Sequence, residues 1–247
     1  MSRFSSGVPD AMYRDDLAHI HVDGYGFHWE RASAAVLLWL QKAGVTSGRV
    51  VDLGCGGGQW LARLAENGYL PHGVDASESM IALARRAAPA AELQCASFAE
   101  APLPECDAVT SLGEPLNYLN SRRLFRRTLH SVAKRLRSGG VFIFDVRIPP
   151  PKALGPHDHV REGDGWFCHS RNERSRNGEQ LERRITTFRR QKDGSFRRAC
   201  EVHRLRLISG DEIAQWLRKL NFSVQRRRAY GEYRLNNDQL IFIARKL

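Results

Sequence analysis

From Arg49 onward the chain alternates short, unbroken apolar runs with amphipathic stretches, a pattern that predicts strand–helix–strand units. Val50 to Leu53 reads as a buried strand, and Trp60 to Glu66 as the helix after it. Leu70 to Asp75 is the next strand, followed by a helix that Ser77 caps, that carries Glu78 in its first turn and that Pro89 ends. Glu92 to Cys95 and Cys106 to Thr110 continue the series. A helix from Arg122 to Arg137 is expected to stop at Gly139-Gly140, before the fully buried strand Val141 to Val146. Upstream, Ala32, Val36, Leu40 and Ala43 recur at helical spacing from Trp29, with Gly44 as the stop. Asp10 to Ile20 predicts a short helix, and Gly24 and Gly26 break the aromatic, histidine-bearing stretch His19 to Trp29.

Pro149-Pro150-Pro151 interrupts the alternation and marks a boundary. Beyond it, Trp166 to Ser170, Leu181 to Arg190 and Phe196 to Leu207 read as three antiparallel strands joined by Asn177-Gly178 and Asp193-Gly194 turns. Val202, Arg204 and Arg206 alternate with His203, Leu205 and Leu207. Ser209 then caps an amphipathic helix bearing Ile213, Trp216, Leu217 and Leu220, and Phe222 to Ala229 and Gln239 to Ala244 are the last strands. The organisation expected is an N-terminal helical lid (1–44), an α/β core (45–150 and 208–247) and an antiparallel insert (151–207) that borders a substrate pocket or a subunit contact.

The turn Gly54-Cys55-Gly56-Gly57-Gly58 lies between the first core strand and its helix. Glycines there let the backbone approach a ligand, and the helix N-terminus offers unpaired N–H groups. Asp75, at the tip of the adjacent strand, stands where an acid hydrogen-bonds a ribose hydroxyl. A dinucleotide fingerprint needs a third glycine at position 59, where the chain has Gln59.

Asp52 followed by Gly54, Gly56 and Gly58, with Asp75 closing the next strand, resembles the first motif of the class I S-adenosylmethionine-dependent methyltransferases. The resemblance covers residues 49–247 and is more specific in the first half. It implies a Rossmann-like, doubly wound, seven-stranded sheet, parallel except for its last strand, with S-adenosyl-L-methionine as cofactor. The glycine loop, Cys55 included, would hold the methionine part and Asp75 the ribose. The insert points to the branch that acts on small molecules.

The strand-end rule for open α/β sheets selects further cofactor candidates: Ala76, Met80, Ser97, Phe98 and Leu112. Many family members carry an aspartate after the third strand, where this chain has Ala96-Ser97-Phe98, so Ser97 and the Phe98 amide or ring take over the base contact. At Met80, simple helix packing is an equal alternative.

The loop Leu112 to Tyr118 leaves the fourth strand where the methyl group would meet its acceptor. Methyl transfer from a sulfonium is an in-line displacement, so positioning supplies much of the acceleration. Glu114 can take a proton or stabilise a developing ammonium, and Asn117 and Tyr118 can orient the acceptor. In the N-terminal segment His21 is a candidate base, with Tyr25 and Trp29 as aromatic walls. The Asn/Asp-Pro-Pro-aromatic motif of enzymes that methylate exocyclic base amines is absent from this loop.

Composition narrows the class. The 247 residues are 42% hydrophobic, and no apolar run approaches the roughly 20 residues of a membrane span. Residues 1–7 lack the apolar region of a signal peptide, and the five cysteines form no CxxC pair; both favour a reduced, cytoplasmic setting. No metal is expected, since Cys200 and His203 point to opposite faces of a strand. The net charge of +11 arises mainly from arginine. It fits a solvated basic surface or an anionic partner, and nucleic acid is not favoured because no RNA-binding module accompanies it. The reading is a methyltransferase acting on an N or O nucleophile of a small molecule, with a homodimer left open. The alternatives are an RNA or protein methyltransferase docking through the basic insert, and a catalytically inactive S-adenosylmethionine-binding protein.

Overall fold

The computed structural model describes residues 12–150 and 155–247. Helices α1 (Asp15–Gly24) and α2 (Phe27–Lys42) precede the core. The core then runs β1 (Gly48–Leu53), α3 (Gln59–Glu66), β2 (Tyr69–Asp75), α4 (Glu78–Ala87), β3 (Glu92–Cys95) and β4 (Cys106–Ser111). A 3-10 turn at Pro115–Tyr118, α5 (Arg122–Arg135) and β5 (Leu136–Arg147) follow. Next come β6 (His157–Gly163), β7 (Trp166–Arg174), β8 (Gln180–Arg190) and β9 (Phe196–Arg206), and the chain closes with α6 (Gly210–Lys219), β10 (Phe222–Arg227), the short pair β11 (Ala229–Tyr230) and β12 (Tyr233–Arg234), and β13 (Gln239–Lys246). The start of the helix expected from Asp10 and the residues 151–154 lie outside the described residues.

Seven strands form the main sheet in the order β10-β13-β5-β4-β1-β2-β3. Only β13 runs against the rest, paired antiparallel to both β5 and β10. This is the Rossmann-like, doubly wound arrangement expected. Burial on both faces explains the unbroken apolar strands: on β5, Val141 and Ile143 join one cluster with Val36, Leu40 and Leu61. Phe142 and Phe144 face the other way, among Phe125, Leu129, Ile213 and Phe242. The rings of Phe142, Phe144 and Phe242 stack with centroids 4.4 and 4.9 Å apart. Side-chain oxygens of Ser77, Ser121 and Ser209 cap α4, α5 and α6 by accepting from Met80, Leu124 and Glu212 amides.

Three local expectations change. The insert is a four-stranded antiparallel sheet, β6-β7-β8-β9, one strand more than expected. Its extra strand, β6, lies at the edge with mostly exposed side chains, so it lacks the apolar alternation that marks the others. Gly139-Gly140 does not end α5. Leu136 already pairs with Cys106, and the register shifts before Ala108 meets Val141, so the glycines form an irregularity inside β5. Gly140 is needed because a Cβ there would sit 2.7 Å from the Asp107 carbonyl. Lastly, helix α1 runs through to Gly24, so only the two residues 25–26 separate it from α2.

The insert and α1 together roof the carboxyl ends of the core strands. Leu17 and Ile20 of α1 pack on Cys168 and Ile185 of the insert. Asp16 accepts from Arg197 Nε (2.7 Å) and Nη2 (2.6 Å) and from Arg189 Nη1 (3.3 Å). Those two arginines hold its carboxyl below the usual range against the opposing effect of burial. On the core side, Ser77 Oγ donates to the Tyr13 carbonyl (2.8 Å) and Ser79 Oγ to Asp15 (2.6 Å).

Candidate active site

The glycine turn is fastened to the neighbouring strand. Val74 O accepts from the Gly54 (2.8 Å) and Cys55 (3.1 Å) amides. Asp75 then bridges two turns: Oδ2 accepts from Gly56 N–H and Oδ1 from Ser77 N–H, each at 2.9 Å. The glycines serve different purposes. At Gly58 (φ +82°) a Cβ would lie 2.8 Å from Ala84 Cα, so this glycine lets α4 pack against the loop. At Gly56 (φ +53°) a Cβ would meet nothing within 4 Å, because that side opens on a cavity.

The cavity measures about 1840 Å³, beyond the roughly 300–1,000 Å³ of an ordinary ligand pocket. It therefore has room for a cofactor and a second molecule. Of the cofactor candidates, Gly54, Gly56, Asp75, Ala76, Met80, Ser97, Phe98 and Leu112 line it. Asp52, Cys55 and Gly58 lie behind the loop and are not on its wall. Asp52 accepts from Thr110 Oγ1 (2.7 Å), which in turn accepts from Trp60 Nε1 (3.1 Å). Burial, helped by the charges of Asp75 and Asp145, raises the Asp52 carboxyl to about 7. The Cys55 thiol is likewise pushed well up by burial and stays protonated. Phe98 belongs to the main apolar cluster, so its ring is a core element as well as a wall.

These residues fit S-adenosylmethionine. A carboxylate offers about four acceptor sites, and protein amides take one on each Asp75 oxygen, leaving a lone pair on each for the ribose hydroxyls. The open side of Gly56 accommodates close approach, and Met80, Leu112 and Phe98 supply apolar contact.

On the acceptor side, Asp145 at the end of β5 organises the loop. Its buried carboxylate accepts from the Gly113 (3.0 Å) and Glu114 (2.8 Å) amides, from Tyr230 OH (2.6 Å) and from His28 Nε2 (3.0 Å). His28 Nδ1 lies 3.1 Å from Tyr233 OH. Burial works against both charges, yet the pairing wins: Asp145 is held below the usual range and His28 above it.

Two sequence candidates change role here. Glu114 is not a free base: Oε1 accepts from Arg147 Nη2 (2.7 Å) and Gln239 Nε2 (2.5 Å), and Oε2 from Arg147 Nε (3.2 Å). Both of its oxygens are thus engaged by the two-pronged arginine fork. Asn117 does not reach an acceptor, for it is 1% exposed and off the cavity wall. Its Nδ2 donates to the Arg147 and Arg206 carbonyls (2.8 and 2.6 Å) and its Oδ1 accepts from Arg147 N–H (2.8 Å). It staples β5 to the end of β9.

The other candidates line the cavity. Tyr118 OH is 3.0 Å from Tyr13 OH and 3.2 Å from His203 Nδ1, and His203 Nε2 is 2.9 Å from Glu201. His21 stacks on Tyr25 at 5.7 Å, and Tyr13 meets its edge at 5.1 Å. Burial, with a contribution from Arg183, lowers His21 to about 4, leaving it neutral at physiological pH. Trp29 Nε1 is buried with no partner among the described residues, and Arg161 lies 5.1 Å over the Tyr25 ring. Sequence reasoning passed over Asp145, Arg147, Arg183, Tyr233 and Tyr13. The strand-end rule, carried to the fifth strand, selects Asp145; nothing distinguishes Arg183 from the other insert arginines.

A parallel sheet with one reversed strand, a glycine turn and an acid at the next strand tip place the chain among the nucleoside-binding α/β folds. The family model described as "Methyltransferase domain" matches residues 50–140. A Geobacillus sp. (strain WCH70) protein assigned as a methyltransferase is 31% identical over 189 residues, spanning 71% of this chain and 74% of that one. The chain belongs to the class I S-adenosylmethionine-dependent methyltransferases. Two solved structures share the fold. A Clostridium acetobutylicum ATCC 824 S-adenosylmethionine-dependent methyltransferase superposes with a TM-score of 0.80 at 19% identity, over 94% of this chain and 98% of that one. The sugar N-methyltransferase KedS8 from Streptoalloteichus sp ATCC 53650 gives 0.78 at 20% identity, over 100% and 99%.

Proposed function

We propose that this methyltransferase acts on an N or O nucleophile of a small molecule held in the roofed half of the cavity. The observation that carries the reading is the chamber itself. It continues from the cofactor loop and is walled by α1, the insert strands and the loop Gly113–Tyr118. An acceptor enclosed on several sides is small; a nucleic acid or folded protein needs an open groove. The sugar N-methyltransferase among the structural neighbours agrees with this size class. In this reading residues 12–44 act as the lid, because α1 is latched to both the core and the insert.

When bound, the cofactor supplies the electrophilic methyl group. The chain's residues hold and align the acceptor and exclude water. Asp145 fixes the loop that faces the methyl group, Tyr13 and Tyr118 offer hydroxyls, and neutral His21 offers an imidazole nitrogen as a hydrogen-bond partner for the acceptor. Six of the insert's arginines, Arg171, Arg184, Arg190, Arg197, Arg204 and Arg206, are each paired with a carboxylate. That pairing weighs against nucleic-acid docking.

Calorimetric titration with S-adenosylmethionine and S-adenosylhomocysteine, followed by a screen of amine and hydroxyl acceptors, tests the reading. Asp75→Ala is expected to weaken cofactor binding by about 1.5–3 kcal/mol, the range for a hydrogen bond to a charged group. Activity on RNA or a protein, with binding that falls steeply as salt rises, and none on small acceptors, refutes the substrate class.

A further inference from the structure

We infer that the acceptor carries an oxyanion, a carboxylate or a phosphoryl group, and that Arg183 on β8 receives it; this rests on the small-molecule reading above. Arg147 and Arg183 line the chamber together with two buried carboxylates, Glu114 and Asp238, the latter also paired to buried Arg174. The carboxylates are already used. Arg147 grips Glu114 with two prongs and reaches Asp238, and Arg174 takes the same Asp238 oxygen at 2.5 Å.

Arg183 shares Glu114 with Arg147 but does not hydrogen-bond it. Its Nη2 lies 3.7 Å from Glu114, beyond hydrogen-bond range, and its Nε donates to the neutral Asn172 amide at 3.0 Å. Of the other carboxylates, Asp75 on the cavity wall is held by the Gly56 and Ser77 amides, and Glu201 is turned to His203, the Tyr13 amide and Arg14. Arg183 therefore keeps guanidinium donors with no direct carboxylate hydrogen bond, beside a Glu114 that Arg147 already holds. A half-buried cation whose nearest carboxylate is shared with another arginine gains from a further anion.

Arg183 faces the cavity. It shares its sheet face with His203 and Asn172, its cross-strand partners, and its charge reaches His21, Tyr13, Tyr118 and His159. A guanidinium presents its donors in a planar fork suited to carboxylate and phosphate oxygens. Docking the anion there would fix one end of the acceptor while its nucleophile turns toward the cofactor loop.

The test uses the full chain saturated with S-adenosylhomocysteine, whose binding separately checks the cofactor reading. Inorganic phosphate or acetate replaces chloride at constant ionic strength, and the thermal midpoint is followed. A saturable rise is expected, with the fitted dissociation constant weakened at least tenfold in Arg183→Met and unchanged in Arg198→Met, an exposed insert arginine. Response to phosphate alone identifies a phosphoryl acceptor; a stronger response to acetate identifies a carboxylate. If Arg183→Met fails to fold, Arg183→Lys keeps the charge but loses the fork, and acetate is expected to weaken more than phosphate. Absence of a saturable rise in the parent protein, or an equal rise when Arg183 is replaced, overturns the inference while leaving the cofactor assignment intact.

Discussion

The Asp145–His28 pair offers the sharpest quantitative test of what holds the loop Gly113–Glu114 in place. Asp145 is 1% exposed and gathers four donor groups, one of them charged when His28 is protonated. Asp145→Asn keeps the shape and removes the charge, leaving a buried imidazolium without its partner. Losing one member of a buried pair typically costs about 3–5 kcal/mol, and His28→Gln, which retains hydrogen-bonding capacity, should cost less. The double variant is expected to show a coupling of about 1–2 kcal/mol at pH 6.

The pH dependence follows from the two shifts. His28 is raised above 6.5, so its contribution is full below that value and is lost as pH rises through its folded pKa. Asp145 is depressed below 3.8, so its contribution is present above that value and is lost only as pH falls further. Coupling should therefore be largest between those limits and shrink toward pH 9. Urea unfolding of the four proteins at pH 6 and pH 9 measures it. Additive effects at pH 6, or a coupling identical at both pH values, would refute the ion pair.

Two further outcomes are expected. Gly58→Ala should lose about 2 kcal/mol or more of stability, from the left-handed backbone plus the contact with Ala84. Gly56→Ala should lose only about 1 kcal/mol of stability but bind S-adenosylmethionine far more weakly, since its Cβ enters the cavity; thermal melts beside calorimetry separate the two. For His21, folded near 4 against 6.5 unfolded, acid favours the unfolded chain, so its contribution makes stability rise with pH between those values by up to about 3 kcal/mol. Because Asp52 contributes with the opposite sign in an overlapping window, the quantity to measure is the difference between the parent and His21→Phe at pH 4.5 and 7. An unchanged difference would show that His21 is solvated.

Local chemistry made the cofactor half of this protein legible. Apolar runs buried on both faces had to be central strands, and the glycine turn with Asp75 falls at a strand end, where backbone geometry leaves little choice. Residues 52–58 and 75 could be located because their neighbours in sequence are their neighbours in space. The acceptor half depends on distant partners. Glu114 reads as a free acid until β5 and β13 bring Arg147 and Gln239 to it, and Asn117 reads as a ligand until two strands close on its amide. Strand β6 has no apolar signature because it rides the edge of a roof. The sequence determined the sheet and the cofactor loop through periodicity and turn chemistry. Only the tertiary structure decided which charges meet in the chamber, because β5 and the approach to β13 bring Arg147 and Asp238 to Glu114, and the packing of the insert on the core adds Arg183.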